Sequence, residues 1–542
     1  MSIYTVTVID IAAIQNYVFG SNNLQHNVGA SGLVHYATHD WVFKELVDLK
    51  KTNVDINGDF DRNVAIESDD LNSELVYAGG GNTVILFNES NEKGIARKFT
   101  KNLTRRVLIE APGLQLIVAH KDFEWGKPNL AKTVSDTLGD VNNKKYNRHF
   151  SSHLLGLGVT ADCQYTGLPA VAIRSKSEKD TKNKVWISSE VAKKWDFFGS
   201  ATERLRDNFS LNNNYEYVSN FNDFGVKHES SYIAVVHADG NGMGKRVQDI
   251  ANKHSKDNRE YIKAIREFSI SVENATKMAL QTCVDQLQDS IVKVDKVDKI
   301  SGIVEIHEND RGKKLLPFRP IVFGGDDVTF VCDGRLGLTL AELYLRSLAS
   351  SDLRLSDGDP IYARAGIAIV KTHYPFSRAV ELAEDLAKSA KKYIIEKQKP
   401  DEKSLLAMDW HFAASGPIGD LDDIRKREYT VDAGKLYMRP VRLGKSVGSD
   451  WHSWDTFTNI MGEFQDNWAD KRNKIMSLRD ALRAGPKTVK QFVILYVPQK
   501  LPEIKNETDS DTNGWVDGCC TCFDAIEAMD FFVPLENKGG GK

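Results

Sequence analysis

The segment Pro320–Asp333, P-I-V-F-G-G-D-D-V-T-F-V-C-D, constrains the fold more than any other stretch of the chain. Apolar and β-branched residues flank Gly324, Gly325, Asp326 and Asp327 on both sides, which predicts two antiparallel strands joined by a tight turn. Side chains alternate between faces along a strand, but a turn opened by glycine lets both carboxylates reach one edge. Such an edge suits a hard divalent cation, which takes oxygen ligands. Asp-Asp after Gly-Gly also describes an ordinary hairpin turn.

A second segment shifts the balance. Ser231–Arg246, S-Y-I-A-V-V-H-A-D-G-N-G-M-G-K-R, runs an apolar strand into Asp239 and then into Gly240, Asn241, Gly242 and Gly244, with Lys245 and Arg246 behind. Here a carboxylate stands at a strand end beside backbone N–H groups able to hold phosphate. A glycine-rich stretch alone is weak evidence. Asp239 with Asp326 and Asp327 makes the carboxylate set that two-metal nucleotidyl transfer requires.

The chain has 542 residues, enough for three or four domains and more than one core. Its net charge of −4 provides no global basic field for nucleic acid, although a local groove stays open as a reading. No stretch approaches the ~20 apolar residues of a membrane span, and Met1–Asp10 lacks the regions of a secretory signal, so a cytoplasmic protein without membrane contact is expected. The six cysteines do not form a disulfide framework in a chain of this size. Cys519 and Cys522 have C-x-x-C spacing, but no second pair or histidine completes a zinc site in the sequence.

The first part of the chain echoes the acidic segments. Ser2–Asp10 is an apolar strand ending in an acid, and Val76–Phe87, V-Y-A-G-G-G-N-T-V-I-L-F, is again strand, glycine turn and strand. Asp10 then falls on Asp239, and Gly79, Gly80, Gly81 and Asn82 fall on the Gly-Gly-Asp-Asp turn, so one unit occurs twice and its first copy has lost the hairpin acids. Leu114–Lys121 matches Arg364–Lys371 as a buried strand. Ser377–Tyr393 has helical periodicity, with Lys388, Lys391 and Lys392 at its far end. Cations favour a helix C-terminus in any case; the functional reading is a triphosphate clamp by Lys388 and Lys391. Gly29–Leu33 reads as a small-residue turn leading into a helix, and helix packing explains its small residues as well as ligand approach does. His39-Asp40 has the form of a phosphohydrolase pair, but the further ligands such chemistry needs along several helices are not placed for it.

In order and spacing these motifs resemble the large polymerase-like subunit of type III CRISPR effector complexes. The residues that carry the resemblance are Ile9–Phe19, Gly29–Ser31, Tyr77–Asn82, Ala238–Lys245, Phe323–Asp327 and Ala387–Lys392. The resemblance implies an α+β protein with two ferredoxin-like palm domains, the first degenerate. It divides the chain into a first palm over 1–150, a connecting domain over 151–228, a catalytic second palm over 229–415 and a helical domain over 416–542 with a disordered tail. It also implies conversion of ATP into cyclic or linear oligoadenylates, two Mg²⁺ or Mn²⁺ ions on Asp239, Asp326 and Asp327, phosphate at Gly240–Gly244, and a nucleotide pocket near Gly79–Asn82. Guide or target RNA and sister effector subunits are the implied partners.

The chain also departs from the pattern. A His-Asp nuclease domain is not expected ahead of a first palm strand that starts near Met1. Ala161–Ala170 keeps only Cys163 where many relatives have zinc-binding cysteines, and Asp239-Gly240-Asn241 stands where relatives often have Asp-x-Asp. Two alternatives remain at this level: a non-catalytic scaffold that binds RNA or subunits, and a diguanylate-cyclase-like enzyme using GTP. Composition makes Lys176–Lys184 and Asn212–Asn222 exposed connectors and Lys293–Lys313 a solvated insertion. Long helices are expected over Tyr261–Ile291 and through much of Trp451–Tyr496.

Overall fold

The computed structural model describes residues 3–535 except 56–57, 60, 91–92, 128, 148–157, 178–179, 226–230, 399–404, 414–418, 445–449, 469, 497–499, 505–506 and 508–509. The Glu536–Lys542 tail lies outside the described residues.

Two sheets of the same topology organise the α+β chain. In the first, strands Ile3–Ala12, Ser73–Gly79, Asn82–Asn88 and Gln115–Glu124 lie in the spatial order second, third, first, fourth, all antiparallel. Tyr232–Gly240, Phe318–Val322, Val328–Asp333 and Ala363–Lys371 repeat that order in the second sheet, which Ala407–Ala413 then extends in parallel with the last of them. Helices connect first to second and third to fourth strands in both copies, which is the ferredoxin-like β-α-β-β-α-β order.

Tyr232–Gly240 is apolar at nearly every position because both of its faces are covered. Ala234, Val236 and Ala238 join a core with the long helix Asn258–Asp289 and the helix Gly337–Leu348. Ile233 and Val235 face the other way, into a core shared with Ile9, Ile85 and Phe87 of the first sheet. The strand Phe318–Val322 tolerates Pro320 because it is the edge of its sheet and bulges between Pro320 and Val322.

The long helix also crosses to the first palm, where Tyr261, Ile262 and Ile265 pack beneath its sheet. Arg266 on this helix donates to the carbonyls of Leu75 and Val76 and to the buried Glu74, which also accepts from Arg259. The palms are therefore joined by shared core and by a buried ion pair.

Four local expectations are corrected. Gly29–Leu33 is the interior of a helix, Leu24–Thr38, and not a turn. Its small residues let neighbouring helices approach: a Cβ on Gly29 would lie 1.8 Å from the Lys194 carbonyl oxygen, and one on Gly32 would lie 2.8 Å from the Ala201 side chain. Lys176–Lys184 falls on an antiparallel hairpin, Ala172–Ser177 with Asp180–Ile187. Lys293–Lys313 is no solvated loop, since it holds the three-stranded meander Ile291–Val294, Val297–Ile300 and Val304–Glu305, with Ile300, Val304 and Ile306 in the core. Asn212–Asn222 includes a short strand, Tyr215–Tyr217, paired in parallel with Lys314–Leu316. Charge composition missed these strands because lysines such as Lys184 and Lys293 stay exposed on them while strand pairing fixes the backbone.

The expected helices are present at Asn258–Asp289, Phe376–Lys397, Trp454–Asn467, Arg472–Ala484 and Pro486–Tyr496. No helix among the described residues is long and apolar enough to cross a membrane.

Candidate active site between the palms

The glycine turns of the two palms face each other. A Cβ on Gly325 would stand 3.0 Å from Gly80 Cα, and between the turns opens a cavity of about 550 Å³. Gly79, Gly80 and Gly81 line one wall, and Gly324, Gly325, Asp326, Asp327 and Asp239 the other. Asn82 begins the returning strand of the first turn, opposite Asp10.

Strand register explains why acids distant in sequence converge. Ala238 pairs with Val328, so one step further along the same ladder sets Asp239 opposite Asp327. In the first palm Ile9 pairs with Thr83 and Asp10 with Asn82, which makes Asn82 the counterpart of Asp327. A Cβ on Gly240 would lie 3.2 Å from Asp326 Cβ, so the residue after Asp239 has to be small to let the hairpin close over it.

The acids feel one another. Desolvation, then the charge of Asp239, raises the Asp326 carboxyl above its ordinary value. Asp327 keeps 53% of its side-chain surface open to the cavity, yet protein surrounds that opening. Desolvation there, followed by repulsion from Asp239 and Asp326, pushes its carboxyl up to about 7.

Arg364 and His237 escaped the sequence reading, as did Arg204, which lines the same cavity. Arg364, directly opposite Asp239 on the neighbouring strand, donates to the Asp239 carboxylate and to Asn241 Oδ1 at 2.9 Å. The first palm has Ile117 at the matching position, and there Lys145 instead meets Asp10 at 2.6 Å. His237 lies two residues before Asp239, on the same strand face; its Nε2 is 3.4 Å from Asp327 and its Nδ1 3.1 Å from Thr329 Oγ1. Burial depresses its pKa, so the ring is neutral. Period-2 counting back from Asp239 would have found His237, whereas Arg364 needed the strand register.

Arg204 closes the cavity on a third side, 4.3 Å over the Phe323 ring. Desolvation lowers its pKa to about 10, which still leaves it cationic near neutral pH. Ser31 also lines the cavity and donates to the Ile321 carbonyl at 2.5 Å, tying the first palm to the hairpin.

The remaining sequence candidates lie around a second cavity of about 940 Å³, on the other side of Arg364. Asn241, Gly242, Lys245 and Lys391 line it. Gly242 has φ +69° and caps the helix Met243–Lys253, in whose exposed first turn Gly244 sits. Lys388 is on neither lining; it is bonded to Asp385 at 2.8 Å on the exposed face of its helix. The structure thus separates Lys388 from Lys391.

Paired ferredoxin-like sheets with acids on one glycine hairpin define a two-palm protein of the nucleotide-cyclase and polymerase type. Residues 232–399 match the family described as Cas10/Cmr2, second palm domain. A crystal structure of a Csm1-Csm4 cassette in complex with cA4 is similar at TM-score 0.51 and 11% identity, covering 97% of this chain and 69% of that one. The same cassette in complex with one ATP gives TM-score 0.51 at 11% identity, over 98% and 70%. A structure of Csm1 in T. onnurineus gives 0.48 at 12%, over 97% and 69%. At such identities the likeness to the two cassette structures speaks for the fold. No curated protein sequence matches the chain.

Proposed function

We propose that the chain is a nucleotidyltransferase that joins ATP molecules into linear or cyclic oligoadenylates in the cavity between its palms. The observation that carries this reading is the convergence of Asp239, Asp326 and Asp327 on one cavity wall, with mutual repulsion raising the hairpin carboxyls. The cassettes of similar fold were solved with ATP and with cA4, and the present reading extends that chemistry to this chain.

The donor set fits two Mg²⁺ or Mn²⁺ ions: the ligands are all oxygen, they line an open cavity, and among the described residues Arg364 is the cation in direct contact with them. Metal ions held there supply a lowered pKa for the attacking 3′-hydroxyl and neutralise the triphosphate. The chain itself does the positioning. Arg364 fixes the Asp239 carboxylate, His237 braces Asp327, and Gly79–Gly81 leave room for a nucleotide to approach backbone. Arg204 sets a cation where transferred phosphate charge gathers. Gly242 and the start of its helix, with Lys245 and Lys391, offer phosphate contacts in the neighbouring cavity. Bond formation between a 3′-oxygen and an α-phosphorus expels pyrophosphate, and the hydroxyl proton leaves to solvent or a site carboxylate.

The proposed partners are those of the resembling family, namely guide or target RNA and sister effector subunits, in the cytoplasm. The test is mass spectrometry of products made from ATP, or from GTP alone, with Mg²⁺ or Mn²⁺ and with or without RNA. Oligoadenylates from wild type and none from Asp326→Asn/Asp327→Asn with its fold intact support the reading. Pyrophosphate release unchanged in that variant overturns it.

A further inference from the structure

A second donor cluster shares the first-palm wall of this cavity and differs from the acids in chemistry. The helix Leu24–Thr38 stops at His39, whose backbone (φ −130°, ψ −83°) breaks the helical path before Asp40 opens the next helix. That break turns His35, His39 and Asp40 toward one point. His35 Nε2 is 3.5 Å and His39 Nδ1 3.6 Å from the same Asp40 oxygen, and all three donor atoms lie within 4.8 Å of one another.

These separations are too long for hydrogen bonds and close to what a tetrahedral ion needs. Donors at ~2.0–2.1 Å from a zinc ion stand about 3.3 Å apart. His39 Nδ1 and the Asp40 oxygen are buried atoms with no hydrogen-bond partner, a costly arrangement that a bound cation resolves. The His39 ring packs 4.3 Å from Phe43 and 4.8 Å from the nearly parallel His35 ring, and joint ligation of one ion requires a ring to turn so that both lone pairs meet. Arg204 and Lys277 also face this corner, but Glu203, Asp207 and Glu273 line it with them, and Glu273 is paired to Lys277 at 2.7 Å.

We propose that His35, His39 and Asp40 form a site for a borderline divalent metal of the Zn²⁺ class, distinct from the all-oxygen site at Asp239, Asp326 and Asp327. Two imidazoles and a carboxylate select zinc or cobalt over Mg²⁺ or Ca²⁺, which prefer oxygen alone. Three protein ligands leave the fourth position for water or a substrate oxygen. His35 and His39 line the nucleotide cavity, so that position opens toward it.

The test uses the full chain stripped with a chelator, titrated with Zn²⁺ by calorimetry and with Co²⁺ by visible absorbance. The expected result is one Zn²⁺ per chain, a tetrahedral Co²⁺ spectrum, and a thermal midpoint that rises with Zn²⁺. Affinity falls by at least about tenfold in His35→Gln and, separately, in Asp40→Asn. It is retained in Asp326→Asn/Asp327→Asn and in Cys519→Ser, which exclude the acids and the thiols as the seat of binding. No Zn²⁺ uptake by wild type, equal affinity in both first-palm variants, or loss of binding in either control overturns the proposal. Each variant's circular dichroism shows that it folds, and none of these outcomes depends on oligoadenylate synthesis.

Discussion

Gly325 stands so close to Gly80 that a methyl group on the former would lie 3.0 Å from the latter's Cα. The two turns, one still acidic and one stripped of acids, meet at this contact, which sets the width of the cavity. Gly325→Ala forces backbone to move on one side. The expected cost is about 1–3 kcal/mol in urea unfolding, by analogy with overpacking. Gly244→Ala is the control, because nothing lies within 4 Å of its Cβ position on an exposed helical turn. It should stabilise by up to ~1 kcal/mol. Equal behaviour of the two variants would show that the turn contact does not hold the palms.

Arg364 ties the strand ladder to the chemistry. Its charge lowers both hairpin carboxyls and it grips Asp239, so Arg364→Met lets all three acids repel unopposed. Loss of such a supporting group typically costs 10–100-fold in metal affinity or activity. The acid limb of the pH profile should also move to higher pH, because Asp326 and Asp327 become harder to ionise. Rates measured against pH at saturating ATP check both; an unmoved acid limb would contradict the role assigned to Arg364.

Asp327 makes the metal-free fold sensitive to pH. Its folded carboxyl titrates at about 7, above the ~3.9 of an unfolded aspartate, so between these values the native state holds the extra proton. Stability therefore falls as pH rises through that window, and the loss is complete above about 7. Without metal, Asp327→Asn should raise the thermal midpoint relative to wild type above neutrality and match it near pH 4. Mg²⁺ should erase the difference by stabilising wild type, and its affinity for wild type should climb as pH passes 7. A midpoint difference independent of pH would rule out this titration.

Much of this was legible in the sequence, and the reason is local. A glycine hairpin and a strand ending in acid are short-range patterns, and seeing them twice exposed the repeated sheet. Arg364 was hidden because its partner is 125 positions away and only strand register joins them. Gly29 and Gly32 were misread because a small residue signals close approach without saying whether it sits in a turn or a helix. The lysine-rich meander at Lys293–Lys313 looked solvated because its few buried residues, Ile300, Val304 and Ile306, are outnumbered by charge. Lys388 and Lys391 sit three residues apart on one helix, yet the first bonds Asp385 and the second lines the neighbouring cavity.

Glu74 offers the sharpest test of how the palms are joined. Its side chain has no solvent exposure, accepts from Arg266 at 3.0 Å and from Arg259 at 2.7 Å, and belongs to the strand Ser73–Gly79 that leads into the glycine turn. Replacing one partner of a buried pair strands the other charge, so Glu74→Leu should cost about 3–5 kcal/mol in denaturant unfolding. Glu74→Leu with Arg266→Met should recover much of that loss, since two well-packed apolar groups can substitute for a buried pair. Arg259 keeps Glu67 as a partner, which limits the residual penalty. If the double variant is no better than Glu74→Leu alone, the pair acts through the two carbonyls Arg266 also binds, and the palms are held by hydrogen bonding to the strand and not by charge.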